Sequence, residues 1–467
     1  MHTTVVSLAD TPKGGRVYLQ GKYLLKSGFE PNASYSVEIQ KDRLTIRACD
    51  TGNRRVSAKK NGTVPVIDVQ NAALQQAFAS VTKLQVSARD HTITITPAHT
   101  AQMVANRRLS MTEGSLFSGG GLMTEAAAQL GFEAKFAVEI EPQYAEIYSA
   151  NHASADLFNC SVEEVSWETL RSYAPLGLLT CGIPCEPFSQ ARSMDRGGQK
   201  RDRTLPPEAH ENGDMTFFAL RAIEATNAHT VVIEESPNYL KSGAGFILQN
   251  ALRRMGYNVD ARIISPVDHG ELQVRKRAII VARTGAPVQW PAPVPQTRTI
   301  AEILDPPEAV ESEWFDRNSK PWIFQHWDNQ TERGNGFASQ IVTAESTSVG
   351  TVKKRYLAGL GDNPCLQHPT REGVYRFFTL NELKRLMGVP DSYELGDAKT
   401  IAGEALCQGA VVSTIREVIA LNTGLKAADT LSLTPNPVSE AQEEAEGQLE
   451  LFCFTPIEEP QNQAYLF

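Results

Sequence analysis

Two hydrophobic patterns divide this chain. In its first hundred or so residues, apolar and polar positions alternate over short stretches, as in Leu44-Thr-Ile46 and Ile93-Thr-Ile95, the period of a half-buried β-strand. Farther on the apolar runs become continuous. Leu176-Gly-Leu-Leu-Thr180, Val231-Val-Ile233 and Ala278-Ile-Ile-Val-Ala282 each predict a buried strand. A short apolar strand, Ser115-Leu-Phe117, leads into a helical pattern from Met123 to Leu130, and a late helix is predicted from Ile415 to Leu421. Pro287, Pro291, Pro293 and Pro295 mark a linker after the last of these strands. Residues 286–375 carry no strong period; they contain Trp290, Trp314, Trp322, Trp327 and Gly334-Asn-Gly336.

The alternating region repeats itself. Val37-Glu-Ile-Gln-Lys-Asp-Arg-Leu-Thr-Ile46 and Val86-Ser-Ala-Arg-Asp-His-Thr-Ile-Thr-Ile95 align without a gap at a shift of 49 positions. The same shift pairs Val17 with Val66, Leu25 with Leu74 and Phe29 with Phe78. Each copy predicts a strand, a short helix and a β-hairpin. A unit of this size buries too little core alone, so the two copies are expected to pair as an intramolecular pseudo-dimer.

Composition adds bounds. A chain of 467 residues, 41% hydrophobic and 21% charged, has the length for about three domains and the balance of a soluble globular protein. No apolar run approaches the roughly 20 residues of a membrane helix, and the N-terminus lacks the pattern of a signal peptide. Seven scattered cysteines without a CxxC pair argue against a disulfide framework and a zinc site. The cytoplasm is the default compartment. The net charge of −9 is unevenly spread: residues 1–108 sum to +8 and residues 424–467 to −7. The acidic tail, rich in Glu, Pro, Gln and Ser from Ala427 on, reads as disordered.

Candidate chemistry sits at the predicted strand ends. In Cys181-Gly-Ile-Pro-Cys185-Glu-Pro-Phe-Ser189, Pro184 and Pro187 stiffen the backbone on either side of Cys185. A thiol held in such a turn after a strand is where an α/β enzyme presents a nucleophile; Cys181, inside the apolar run, reads as structural. Gly119-Gly-Gly121 lets a cofactor approach the backbone at a helix N-terminus. Phe136-Ala-Val-Glu139 and Val231-Val-Ile-Glu234-Glu235 are strands ending in acids, and Gln273-Val-Arg275-Lys-Arg277 places two arginines on one face of an extended chain.

Taken in order, these stretches resemble the motifs of the DNA cytosine-5 methyltransferases. Gly182, Pro184, Cys185, Pro187, Phe188 and Ser189 match the Pro-Cys motif; Ser115-Leu-Phe-Ser-Gly-Gly-Gly121 resembles the first motif, with Ser115 in place of Asp. Glu234 matches the acid of Glu-Asn-Val, Glu235 replacing Asn, and residues 273–277 match Gln-x-Arg-x-Arg in full. Arg376-Phe-Phe-Thr379-Leu-Asn-Glu382-Leu-Lys-Arg385-Leu-Met-Gly388-Val-Pro390 follows the family's late pattern, and Thr379 with Glu382 forms a capping box. Gly409 stands where the family has Asn, and the acid expected to meet adenine is absent near Cys160.

The resemblance implies an α/β, Rossmann-like S-adenosylmethionine-dependent methyltransferase fold over residues 112–285 and 376–423. It also implies a small target-recognition region at 286–375 and an N-terminal β-rich, swapped-hairpin-like domain at 1–108. It assigns catalysis to Cys185, Glu234, Arg275 and Arg277. It assigns the cofactor, S-adenosyl-L-methionine, to Phe117, Gly119, Gly121, Glu139 and Pro184, with Glu139 accepting from the ribose. No metal is implied. Cys185 would attack carbon 6 of a flipped-out cytosine, Glu234 would support N3, and Arg275 or Arg277 would favour the thiolate and contact O2. The loop bearing Arg192, Arg196, Lys200, Arg201 and Arg203 would close on the strand. The first N-terminal copy, from Arg16 to Pro31 and onward, resembles the SymE-type toxins, relatives of the AbrB-like DNA-binding domains, and implies a nucleic-acid module.

Double-stranded DNA is thus the expected partner, in a bacterial cytoplasm at the nucleoid. A tRNA substrate and a catalytically silent DNA-binding regulator are the alternatives. In the tail, Gln448-Leu-Glu-Leu-Phe452 resembles the peptide that docks on the bacterial sliding clamp, and Gln463-Ala-Tyr-Leu-Phe467 is a looser version.

Overall fold

A computed structural model describes residues 2–59, 61–79, 81–98, 109–189, 205–334, 340–359 and 361–425. The basic loop from Arg192 to Arg203, Gly336 and both clamp-like peptides lie outside the described residues. The chain divides into two compact units, Met1–Ala105 and, apart from residues 254–256, Asn106–Phe467. Among the described residues no helix is long and apolar enough to cross a membrane.

The first unit contains the duplicated element. In one copy the strand Gly14–Gln20 leads to the helix Lys22–Lys26 and the hairpin Ser34–Gln40/Arg43–Ala48. In the other, Val64–Asn71 leads to Ala72–Ala77 and Lys83–Arg89/Thr92–Pro97. The copies are interlocked by a pseudo-twofold. The two first strands run antiparallel with Val17 opposite Val69 and Gln20 opposite Val66, pairs that exchange under the 49-residue shift. The two hairpins join through Arg43–Ala48 and Thr92–Pro97, and there Thr45 faces Thr94, its own counterpart. Val17, Leu44, Ile46, Val69, Ile93, Ile95, Phe29 and Phe78 fill the shared core. The shift slips by one in the helices: Leu24 and Leu74 are buried, while Leu25 is 37% exposed. The second helix starts one residue later, behind the side chain of Asn71, which accepts from the amide of Leu74.

The second unit is built on a seven-stranded sheet. Its strands, in chain order, are β1 Thr112–Leu116, β2 Glu133–Val138, β3 Asp156–Phe158, β4 Leu178–Gly182, β5 Thr230–Glu235, β6 Asn258–Ile264 and β7 Arg277–Arg283. The spatial order is β3-β2-β1-β4-β5-β7-β6. β1 to β5 are parallel; β7 is antiparallel to both of its neighbours. Chain order changes direction between β1 and β4, and in open α/β sheets the crevice beyond the strand ends at such a point takes ligands. Because β7 is reversed, its start lies beside the end of β5: Glu235 pairs with Ala278. That reversal explains why two arginines preceding a strand share an edge with residues that follow strands.

Four helices matter for the site: α1 Leu122–Ala128, α2 Pro142–Asn151, α3 Lys399–Gln408 and α4 Val412–Thr423. Residues 286–375 hold a small aromatic cluster of Phe315, Phe324 and Trp327 with Tyr375 and Phe377 packed against it. The Thr379 capping box is present on the helix Leu380–Leu386. Its Glu382 is also paired with Arg376 by two bonds of 2.7 Å, with both side chains buried. Glu382 also accepts from the amide of Asp305 at 2.8 Å, which ties the C-terminal segment to the rest of the unit.

Candidate active site

The glycine loop follows β1. Phe117, Gly119 and Gly121 all have positive φ, at 51°, 54° and 89°. For Gly121 this left-handed turn caps α1, and an added Cβ would lie 2.8 Å from the hydroxyl of Tyr393 and from the ring of His152. Tyr393 in turn donates to the carbonyl of Gly120 at 2.6 Å, fixing the loop from beneath. Gly119 differs: a Cβ there meets nothing within 4 Å, so its face is open.

Glu139, just past β2, accepts from the amide of Gly119 at 2.7 Å and from the amide of Glu141 at 2.8 Å. Burial raises its carboxyl above the usual range, against the pull of these two amides. Each carboxylate oxygen keeps a lone pair for a further donor. Ile140, next along the chain, is 61% exposed. Asn159, which donates to the carbonyls of Glu139 and Ile140 at 2.8 and 3.3 Å, holds this strand end in place. Cys160, where an acid was expected, is a half-buried thiol. A buried carboxyl beside an open glycine face and an exposed apolar side chain fit an adenosyl group.

The Pro-Cys turn follows β4. Cys181 is fully buried, and Cys185 reaches the surface. The amides of Phe188 and Ser189 donate back to the Cys185 carbonyl at 3.0 and 2.8 Å, closing the turn. Phe188 is clamped by the ring of Tyr239, 4.8 Å away and edge-on, and its carbonyl accepts from Asn238 at 3.1 Å. Pro184 is half-buried in this turn. Glu234, the next-to-last residue of β5, is paired with Arg277, the two side chains 11% and 19% exposed.

The arginines behave differently from expectation. Arg275 is buried, and its two terminal nitrogens donate to the carbonyls of Val352 at 2.9 Å and Gln408 at 2.6 Å. Burial, then the charge of Arg277, lowers its pKa to about 9. Arg277 also reaches Gln408 O, at 3.3 Å. The arginines were expected to favour the thiolate; instead the thiol of Cys185 is pushed up to about 11. Burial of its inner side is the first cause, followed by the charges of Glu235 and Glu234, which outweigh Arg277 and Arg275. Arg277 is offset by its carboxylate partner, and Arg275 is turned toward carbonyls.

Sequence reasoning missed two residues here, Gln408 and Glu113. Gln408, at the end of α3, takes both arginines on its carbonyl and donates from its side chain to Tyr144 at 2.7 Å. Its neighbour Gly409 leaves space that Leu122 borders at 3.0 Å from an added Cβ. Glu113 is fully buried under α1, raised to about 8 by burial, and accepts from Thr180 at 2.5 Å; the Thr180 hydroxyl also lies 3.0 Å from that of Ser115. A carboxyl thus lies two residues before Ser115, on the same side of β1. A groove lined by Arg253, Tyr257, Asn258 and Pro287 opens at the start of β6, away from these residues.

The model of the C-5 cytosine-specific DNA methylase family matches residues 111–424. The Type II methyltransferase M.NlaX of Neisseria lactamica is 26% identical over 318 residues, covering 65% of this chain and 93% of its own length. The tRNA (cytosine(38)-C(5))-methyltransferase of Schizosaccharomyces pombe is 24% identical, covering 62% of this chain and 89% of its own. The crystal structure of S. pombe Dnmt2 methyltransferase matches with a TM-score of 0.53 at 22% identity, covering 67% of this chain and 98% of that one, a likeness of fold. A family model spanning well over half the sequence, over a sheet whose strand ends carry its motifs, leads to one conclusion: the chain belongs to the C-5 cytosine-specific DNA methylase family.

Proposed function

We propose that this enzyme methylates carbon 5 of cytosine in double-stranded DNA through a transient bond from Cys185 Sγ to carbon 6. The observation that carries the reading is the meeting of Cys185, Glu234 and Arg277 at one sheet edge, beside the loop of Phe117, Gly119 and Gly121 and the carboxyl of Glu139. Cys185 loses its proton and adds to carbon 6. The electrons of the 5,6 double bond move toward N3, where Glu234 shares a proton, and carbon 5 becomes nucleophilic. S-adenosylmethionine, when bound, supplies an electrophilic methyl group to that carbon. Loss of the carbon-5 proton to solvent and departure of the Cys185 thiolate then restore the ring.

In this reading Arg277, paired with Glu234, meets the cytosine. Arg275, committed to two carbonyls, holds Gln408 and the segment at Val352 in position. The target carbon is inaccessible inside a duplex, so the base leaves the stack at a cost of a few kcal/mol.

The N-terminal unit is read as a nucleic-acid-binding module. Its first copy carries nine Lys and Arg between residues 14 and 59, the second only two between 64 and 98. Strand alternation places Arg43, Arg47, Lys83 and Arg89 with Thr92, Thr94 and Thr96 on the side away from the core. Docking on a sliding clamp through Gln448–Phe452, which would account for residence at the nucleoid, rests on that peptide alone.

DNA containing 5-fluorocytosine tests the chemistry, because fluorine cannot leave as a proton does. Wild type forms a stable adduct; Cys185→Ala forms none and still binds S-adenosylmethionine. An adduct of normal yield in the variant removes Cys185 from the reaction. Bisulfite sequencing of cellular DNA and RNA from expressing cells separates a DNA substrate from a tRNA one, and modification of neither points to a silent regulator.

A further inference from the structure

The chain that follows the helix Leu380–Leu386 reaches back beneath the glycine loop, and the proposed reaction makes no use of it. Tyr393 is 4% exposed, and its hydroxyl donates to the carbonyl of Gly120 at 2.6 Å. His152, just past α2 and 7% exposed, places Nε2 3.2 Å from the same oxygen. A hydroxyl carries one hydrogen. With that hydrogen on Gly120, the histidine nitrogen is the donor. The next residue, Glu394, is paired through its backbone with the side chain of Asn151, which ends α2. Its amide donates to Asn151 Oδ1 at 2.8 Å, and its carbonyl accepts from Nδ2 at 2.7 Å. Asn151 and His152 thus clasp Tyr393 and Glu394.

The loop needs such a restraint. Gly119, Gly120 and Gly121 have more backbone freedom than any other residue type, so neighbours must impose the shape of the turn. β2 does this on one side. The amide and the hydroxyl of Ser118 donate to the carbonyl of Val138 at 3.1 and 3.0 Å, and the amide of Gly119 donates to Glu139 at 2.7 Å. On the other side the loop rests on two helices: a Cβ added at Gly120 would lie 3.1 Å from Ala405 of α3 and 3.2 Å from Ile147 of α2. Tyr393 supplies the directional contact there. A buried carbonyl that loses its donor turns to find another, and Gly119, one residue earlier, would move with it.

We infer that Tyr393 is a positioning residue for the cofactor: its bond to Gly120, braced by Asn151 and His152, holds the triple-glycine turn in the shape that keeps the Gly119 face open and the Gly119 amide on Glu139. The inference rests on reading this loop as the S-adenosylmethionine site.

Titration calorimetry of S-adenosylmethionine on the full-length protein is the test. Tyr393→Phe keeps the ring and removes only the hydroxyl. Its Kd is expected to rise about tenfold, the effect of one lost hydrogen bond to a buried group. Asn151→Ala removes the brace without touching the loop and should weaken binding in the same sense. Affinity for a duplex oligonucleotide without cofactor, read by fluorescence anisotropy, should be unchanged in both variants; a general loss of structure would lower it as well. A wild-type Kd for S-adenosylmethionine in either variant, or a parallel loss of cofactor and DNA affinity, overturns the inference and leaves the loop's assignment standing. A wild-type protein that binds no S-adenosylmethionine would overturn the assignment of the loop, and this inference with it.

Discussion

Replacing Glu139 by Gln should separate its two roles. The carboxyl holds the glycine loop through the amides of Gly119 and Glu141, at 2.7 and 2.8 Å, and its proposed second role is to accept from ribose hydroxyls. Gln keeps the length and one acceptor oxygen, so it can retain one of these amide bonds while losing the charge. A hydrogen bond to a charged acceptor contributes about 1.5–3 kcal/mol, which corresponds to roughly a 10- to 150-fold weaker Kd for S-adenosylmethionine. Glu139→Ala should weaken binding further, since it also frees both loop amides. Titration calorimetry reads both variants. pH supplies a second check. Burial holds the Glu139 carboxyl above the ordinary carboxylate range, so acidification protonates it sooner than it would a surface acid. Wild-type affinity should fall as pH drops through that raised value, while the Gln variant should show no such fall. Unchanged affinity in the Gln variant, with a parallel pH dependence, would move the ribose contact to another residue.

Three further outcomes are expected. Deleting residues 1–108, with their charge of +8, should lower DNA affinity and flatten its dependence on salt; an unaltered salt slope would mean that this unit does not touch phosphate. Glu382→Ala leaves the buried Arg376 without its two 2.7 Å bonds and should cost about 3–5 kcal/mol, a fall in Tm on the order of 10 °C by calorimetry, whereas a shift within error would show that the segment is held by its apolar contacts alone. A peptide spanning Gly447 to Phe454 should bind a purified bacterial sliding clamp and lose binding on Leu451→Ala with Phe452→Ala; no binding at high micromolar concentration would dispose of that docking.

Much of this molecule is legible in its residues because the signals are local. Period-two alternation marks the hairpins, continuous apolar runs mark β4, β5 and β7, and glycines or acids at their ends locate the edge where chemistry gathers. The 49-residue repeat even anticipates the pairing of the copies, since two small half-cores can be completed only by each other. What residue spacing could not convey is what each charge faces. Arg275 and Arg277 look equivalent two positions apart, yet one is tied to carbonyls from Val352 and Gln408, and the other to Glu234. The reversed β7 brings them to the site, and α3, more than a hundred residues later, settles their partners. The same holds for Cys185: its motif marks a nucleophile, but burial, and after it the two acids of β5, raise its thiol against the nearby arginines. Secondary structure follows from contacts a few residues apart, whereas the field at a site is summed over groups from distant parts of the chain, and only the folded packing brings those groups within reach.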